Sequence, residues 1–248
     1  MIFWPSGISS PRELLLAKQA GTTRLLVSCF NLEQPWFTQG WKRDLWIDSD
    51  AYPFHKRGQE LSLKTYFLMA KCYKHTWITA PDRIGDPIAT ANRLAQAQEQ
   101  GLANLVPVWP WRSNWEHHID DIWELLEAYP VVGIGGCVQW LRQEHSEAKT
   151  QEIERLAKLC ETFPNQFHLF GLHDVQAFNR LKDSLYSADS STWVSKAGKR
   201  VAIFVHATHG GLRRVPVAEV AHYLGLSPDI SNDDLAIYNL KTLLSYCQ

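Results

Sequence analysis

The sequence predicts an α/β protein: a (β/α)8 TIM barrel forming a single domain over residues 1–248, with a helical C-terminal extension from 217 to 248. Three observations predict it. Short apolar runs alternate with amphipathic helical patterns almost to the end of the chain. Several runs are nearly continuously apolar, as strands covered on both faces are. Eight alternations in 248 residues match a barrel of about 250 residues. An open doubly wound sheet is the alternative.

The predicted strands are 24–30, 44–49, 76–81, 104–109, 131–136, 166–172, 184–189 and 201–206. A helix over 11–20 precedes the first of them and is expected to cover the barrel bottom. The segment 31–43 is short for a helix plus its loops, so the first β/α unit is degenerate. Helices are then expected over 63–73, 87–100, 115–129, 147–163 and 175–182. Asp86 is placed to cap the second of these, with Pro87 at its first helical position and Gly101 as its stop. Asn114 and Pro130 bound the helix over 115–129, and Asp174 caps the one over 175–182. The tail 217–246 reads as two helical pieces broken near Ser227-Pro228. No internal repeat, low-complexity tract or linker marks a second domain.

Composition narrows the class. Apolar residues make up 45% of the chain, ample for a large core. The net charge of −1 carries no global signature of nucleic acid or membrane, although a local basic face remains compatible with it. Five cysteines (Cys29, Cys72, Cys137, Cys160, Cys247) are scattered without C-x-x-C spacing, which fits a reduced cytoplasmic protein and argues against structural zinc. No signal peptide is read at Met1–Pro5, and no apolar run approaches the ~18 residues that span a bilayer. Eleven tryptophans supply flat side chains that bury well and also stack on bases or sugars.

Three aspartates close short apolar runs: Asp48, Asp82 and Asp189. A carboxylate at the end of a buried strand must be desolvated or hydrogen-bonded, a poor arrangement for stability. At the C-terminal ends of barrel strands, however, active sites are built. Each aspartate has a plainer reading. Asp48 in Asp48-Ser49-Asp50-Ala51-Tyr52 suits a cap or Asx-turn. Asp82 could pair with Arg83. Asp189, among Ser187, Ser190, Ser191 and Thr192, is surrounded by hydroxyls that either keep it ionised or cap the next helix. Gly133-Ile134-Gly135-Gly136 offers backbone to a ligand or makes a tight turn, and lacks the spacing of a dinucleotide fingerprint. His168, His173, His206 and His209 are rim histidines or, less simply, metal ligands; no H-E-x-x-H accompanies them, so no metal is assigned. From Ser190 to Ala218 the chain carries Lys196, Lys199, Arg200, Arg213 and Arg214 and no acid. That is either a phosphate-binding patch or a solvated surface.

Together these pieces resemble the tRNA-guanine transglycosylase superfamily, and within it the short branch of phage and genomic-island type that inserts 7-deazaguanine bases into DNA. The likeness runs from about Leu25 to Trp193. It rests on Ile47-Asp48-Ser49-x-Ala51-Tyr52, Asp82-x-Ile84-Gly85-Asp86-Pro87, Gly133-Ile134-Gly135-Gly136, His168-x-Phe170-Gly171-Leu172 and Asp189-Ser190-Ser191-Thr192-Trp193, in that order. The resemblance implies Asp189 as the nucleophile at the sugar anomeric carbon and Asp48 as proton donor and acceptor for the bases. It implies Asp82, Gly135 and Gly136 as base-binding residues, and Tyr52, Trp109 and Gly171 are further base-binding candidates beside them. Lys196, Lys199, Arg200, Arg213 and Arg214 would meet the nucleic-acid backbone. Phe54, Trp111 and Trp193 join Tyr52 and Trp109 as candidates to sandwich a flipped base, with core packing as the alternative.

Three departures from the family pattern stand out. Asp50 replaces a glycine, Trp109-Pro110-Trp111 stands where a Gln-Gly segment is usual, and the C-terminal zinc module of the tRNA enzymes is missing. The resemblance implies, as an expectation, exchange of guanine, as leaving base, for a 7-deazaguanine such as preQ0. The expected substrate is DNA in preference to tRNA, with protein partners for DNA access, no membrane and no cofactor. A non-catalytic nucleic-acid-binding relative and a barrel glycoside or nucleoside hydrolase are the alternatives.

Overall fold

The computed structural model describes residues 1–142 and 146–248 and shows a mixed α/β chain. It opens with a strand outside the predicted set, β1 (Ile2–Pro5), followed by α1 (Pro11–Gln19) with proline at its first turn. Next come β2 (Arg24–Ser28), a single 3-10 turn at Cys29–Asn31 and the six-residue α2 (Pro35–Gly40), the truncated unit that the spacing predicts. β3 (Asp44–Asp48), α3 (Ala51–Lys56), α4 (Leu63–Cys72), β4 (Trp77–Thr79) and α5 (Pro87–Glu99) follow. Asp86 caps α5 as expected, accepting from the Ala89 amide at 2.9 Å. β5 (Leu105–Val106) and β6 (Val108–Pro110) lead to α6 (Ile119–Ala128), β7 (Val132–Gly135) and α7 (Val138–Leu141). The chain continues through α8 (Glu147–Thr162), β8 (Phe167–Leu169), α9 (Val175–Leu181), β9 (Ser187–Ser190) and α10 (Thr192–Ala197). It ends in β10 (Val201–Val205), β11 (Leu212–Pro216), α11 (Val217–Leu224) and α12 (Asn232–Tyr246).

The strands form a 5-stranded parallel sheet, order β1-β9-β8-β7-β6, a 4-stranded parallel sheet, order β2-β3-β4-β5, and an antiparallel pair, β10-β11. The predicted strand over 104–109 is thus cut at Pro107, which lacks a ladder donor. Its first half pairs with β4 and its second with β7. β1 also lies beside β2.

Two expectations are corrected. The segment 201–206 is not a further parallel strand: β10 turns back through a short loop, closed by His206 N–H to Gly211 O at 2.9 Å, and pairs with β11. A short return can only give an antiparallel pair, since a parallel one needs a crossover of about a dozen residues. The place beside β9 belongs to β1, with Trp4 opposite Asp189. Accordingly α1 follows a sheet strand and packs beside α2 and α12 instead of lying under the sheet.

Alternation along the strands sorts side chains between two cores. Leu45 and Ile47 of β3 join the main apolar core, whereas Trp46 joins a smaller cluster with Trp4, Leu26, Val106 and Val131 drawn from both parallel sheets. Asp48 shares the side of Trp46, and so points where the inner faces of the sheets meet. Among the described residues no helix is long and apolar enough to cross a membrane.

Candidate active site

Asp48 is the last residue of β3, Asp82 follows β4 by three residues, and Asp189 lies within β9. Asp48 and Asp82 line one cavity with Tyr52, Thr79, Gly135, Gly136 and Phe170. Asp48 feels the charges of Asp50, Asp189 and Asp82, so all four acids share one electrostatic neighbourhood. The plainer readings of Asp48 and Asp82 do not hold. Asp48 caps no helix, because the residue at the start of α3 is Asp50 and its side chain makes no cap bond. Arg83 reaches Glu60 and Asp86, not Asp82.

The two strand-end carboxyls are driven in opposite directions. Burial pushes Asp189 up, but His168, the Gly171 amide and Ser6 together outweigh it and hold the carboxyl below its ordinary value. The Gly171 N–H donates to Asp189 Oδ1 at 2.7 Å, and His168 Nε2 lies 3.4 Å from the same oxygen. Asp48 is held well above the carboxylate range by burial first and then by Asp50, Asp189 and Asp82. The site therefore pairs a carboxyl held toward its ionised form, Asp189, with one pushed toward its protonated form, Asp48. Burial moves Asp82 up to about 6, with Arg93 partly offsetting it; the Arg93 guanidinium donates to the Asp82 carbonyl at 2.8 Å. Asp50 sits in the left-handed region at φ 59° and accepts a hydrogen bond from the Ser28 hydroxyl. That region is uncommon for non-glycine residues but open to aspartate, and the turn sets a second carboxyl whose charge acts on Asp48.

The glycine run divides its duties. A Cβ on Gly133 would fall 2.3 Å from Phe170, so this glycine makes room for the aromatic ring. Gly135 and Gly136 line the cavity, and Gly136 has φ +84° with open space around its missing side chain. Gly171 donates its amide to Asp189, not to the cavity. Trp109 is buried in the main core, edge-on to Trp111. Trp193 is fully buried with its indole N–H on the Ser6 carbonyl, Phe54 packs on Phe30, and Trp111 donates to Glu152. Of the nominated aromatics Tyr52 lines the cavity; Phe170, which the sequence reading passes over, does so too. The available signal for Phe170 is its position two residues beyond His168, on the same face of the strand.

A second concavity of about 550 Å³ adjoins this region, lined by Arg142, Lys149, His173, Lys196, Lys199 and Arg214 together with the hydroxyls of Ser191, Thr192 and Ser195. Burial lowers Arg214 to about 10 and also depresses Lys196, which Arg214 and Lys199 then push further. Lys149 bonds Asp174 at 2.7 Å. Arg142 connects the two concavities: its guanidinium lies 5.7 Å over the Tyr52 ring and 3.1 Å from His173 Nε2. Burial and then Arg142 lower His173 to about 4. Thus Lys196, Lys199 and Arg214 converge, and Arg142 and His173 join them from the C-terminal end of α7 and the loop after β8. Arg200 instead donates to the carbonyls of Pro228 and Ile230 in the tail, and Arg213 is exposed on β11. Among the described residues no group of three or more His, Cys, Asp or Glu side chains is arranged to hold a metal ion. All five cysteines are free thiols.

Fold and site together describe an α/β chain with a buried multi-carboxylate cleft at the C-terminal ends of parallel strands, flanked by a cationic pocket. No protein-family model matches the chain, and no curated protein matches it.

Proposed function

We propose that the two parallel sheets are the halves of a (β/α)8 barrel, meeting at Pro107 and between β1 and β2, and that the protein is a base-exchange transglycosylase. Counting β5 and β6 as one interrupted strand, the parallel strands number eight. The carboxylates then occupy the rim where barrel active sites lie. The reaction replaces guanine in a nucleic acid, DNA in preference to tRNA, by a 7-deazaguanine base. The observation that supports this reading is the opposed drift of two buried, electrostatically coupled strand-end carboxyls, Asp189 toward the ionised and Asp48 toward the protonated form.

Retention at the sugar needs two displacements through oxocarbenium-like transition states. In the first, the free carboxylate oxygen of Asp189 bonds to C1′. The C1′–N9 pair leaves with guanine, which takes the proton from Asp48. In the second, Asp48 recovers a proton from N9–H of the incoming base, N9 bonds to C1′ and the Asp189 ester breaks. Asp82, ionised above about pH 6, accepts from the ring N–H and exocyclic amine of either base. Tyr52 and Phe170 supply flat faces for a base turned out of its stack, and the pocket of Lys196, Lys199, Arg214 and Arg142 receives backbone phosphate.

Incubation with labelled guanine and separate pools of DNA and tRNA tests this. Wild-type protein should incorporate label, preferentially into DNA, and form a covalent protein–nucleic acid adduct. Asp189→Asn should abolish both while the far-UV spectrum stays unchanged. Wild-type-like incorporation by that variant would refute the nucleophile assignment.

A further inference from the structure

The exchange scheme gives His168 no task, yet the structure places this side chain with care. It is fully buried on β8, its ring 4.1 Å from that of Trp46 and 4.5 Å from that of Phe170. Nδ1 lies 2.8 Å from Ser187 Oγ and Nε2 lies 3.4 Å from Asp189 Oδ1. Among the described residues Nε2 has no well-aligned hydrogen-bond partner, and the Asp189 oxygen is the acceptor it faces. A histidine retained only for packing would leave both nitrogens satisfied, or would be replaced by an apolar ring, because a buried polar atom without a partner is destabilising. This one keeps an incompletely satisfied nitrogen aimed at a carboxylate.

Elementary bookkeeping fixes the tautomer. An ionised Asp189 has no proton to give, so Nε2 carries the hydrogen. Burial holds the ring below its ordinary protonation range, so it is neutral, and Nδ1 must accept from the Ser187 hydroxyl. The Gly171 amide meets the same Oδ1 at 2.7 Å. Two donors from β8 and the turn after it thus converge on Oδ1, with the Ser6 side chain as a third donor to the carboxyl; the exchange scheme assigns Oδ2 to the sugar.

We infer that His168, locked as its Nε2–H form by Ser187, is a positioning residue that pins Asp189 Oδ1 and presents Oδ2 to the anomeric carbon. The inference rests on Asp189 being the nucleophile of the proposed exchange. The long Nε2–Oδ1 separation is the play in the clamp, since such bonds tighten as the reacting geometry forms. The titratable groups facing Asp189 are His168 on β8, Asp48 at the end of β3 and His173 in the loop after β8.

The test uses His168→Phe, which keeps the ring and loses both bonds, His168→Gln, which keeps a donor, and Ser187→Ala, which frees the tautomer. The Asp189 carboxyl carbon, labelled with ¹³C and assigned by loss of its signal in Asp189→Asn, is titrated in each. In His168→Phe its midpoint should rise by about one unit, a tenfold change in proton affinity. In Ser187→Ala it should rise less, and in His168→Gln it should stay near wild type. For guanine exchange, kcat of His168→Phe should fall about 100-fold with little change in KM, as expected for misorientation of a reacting group, and the acidic limb of its pH profile should move up in parallel.

An unchanged Asp189 midpoint in folded His168→Phe overturns the inference. Should that variant not fold, wild-type midpoints and rates in Ser187→Ala overturn it instead. A shifted midpoint without guanine exchange by any form, wild type included, supports the clamp while refuting the transglycosylase reading, because the titration needs no turnover.

Discussion

Asp48 carries a burden that its neighbours create. Its carboxyl titrates well above 3.8 because it is desolvated and faces Asp50, Asp189 and Asp82. A carboxyl whose folded pKa exceeds its unfolded one favours folding while protonated, so stability is lost as pH rises from the unfolded value through the folded one. Asp48→Asn removes that loss. The variant should be more stable than wild type at pH 8 by about 1–2 kcal/mol, or roughly 3–6 °C in Tm. The gain should vanish near pH 3.5, and base exchange should be lost throughout; thermal melts across pH measure the first effect and label incorporation the second. Asp82 makes a different statement. With its carboxyl moved up to about 6, guanine affinity should be flat above that pH and fall about tenfold per unit below it. Asp82→Asn should bind guanine weakly with no such dependence, as calorimetry can show. All three aspartates were legible as strand-end acids. The donors that make Asp189 the ionised member were not, because the Gly171 amide, His168 and Ser6 reach it from other strands.

At the scale of elements, a buried amide supplements the apolar face of α12 (Leu235, Ala236, Leu240, Leu243) in holding the tail to the body. Asn239 of α12 accepts from the Ile203 amide at 2.7 Å through Oδ1 and donates to the Val201 carbonyl at 3.0 Å through Nδ2. The side chain is fully buried and serves β10, whose outer edge would otherwise lack partners there. Asn239→Ala strands a backbone N–H and a C=O, so it should destabilise by about 2–4 kcal/mol, read as a lowered urea midpoint. The rate of exchange at low temperature should change little. The two halves of this tail and the break near Ser227-Pro228 are written locally, in helical periodicity and proline. The pairing of β10 is not: its apolar run is compatible with either sheet, and only the short return to β11 excludes the parallel one. Conversely, the Ile2–Pro5 run is only four residues long, and its strand character comes from its place beside β9.

Over the whole molecule the net charge is −1, so affinity for a polyanion must come from local concentration of charge. Lys196, Lys199 and Arg214 line one pocket with Arg142, and each phosphate contact releases counterions. Binding to DNA should weaken as salt rises, and Lys196→Ala, Lys199→Ala or Arg214→Ala should each lower the salt slope by about 1. Arg200→Ala should leave the slope unchanged and lower Tm, since Arg200 is committed to the carbonyls of Pro228 and Ile230. Salt-independent affinity would remove the polymer from the proposal.

By itself the sequence determined the α/β class, most element positions, the helix caps at Asp86 and Asp174, and three acids at strand ends. Those properties depend on neighbours a few residues away, through periodicity, capping and turn chemistry. Only the tertiary structure decided that β1 backs Asp189, that Pro107 divides the sheets, that Trp109 packs in the core while Phe170 reaches the cavity, and that Arg142 joins the cationic pocket. These are contacts across long sequence separations. They are set by which faces the sheets and helices bury against one another, and no local pattern in a single chain records them.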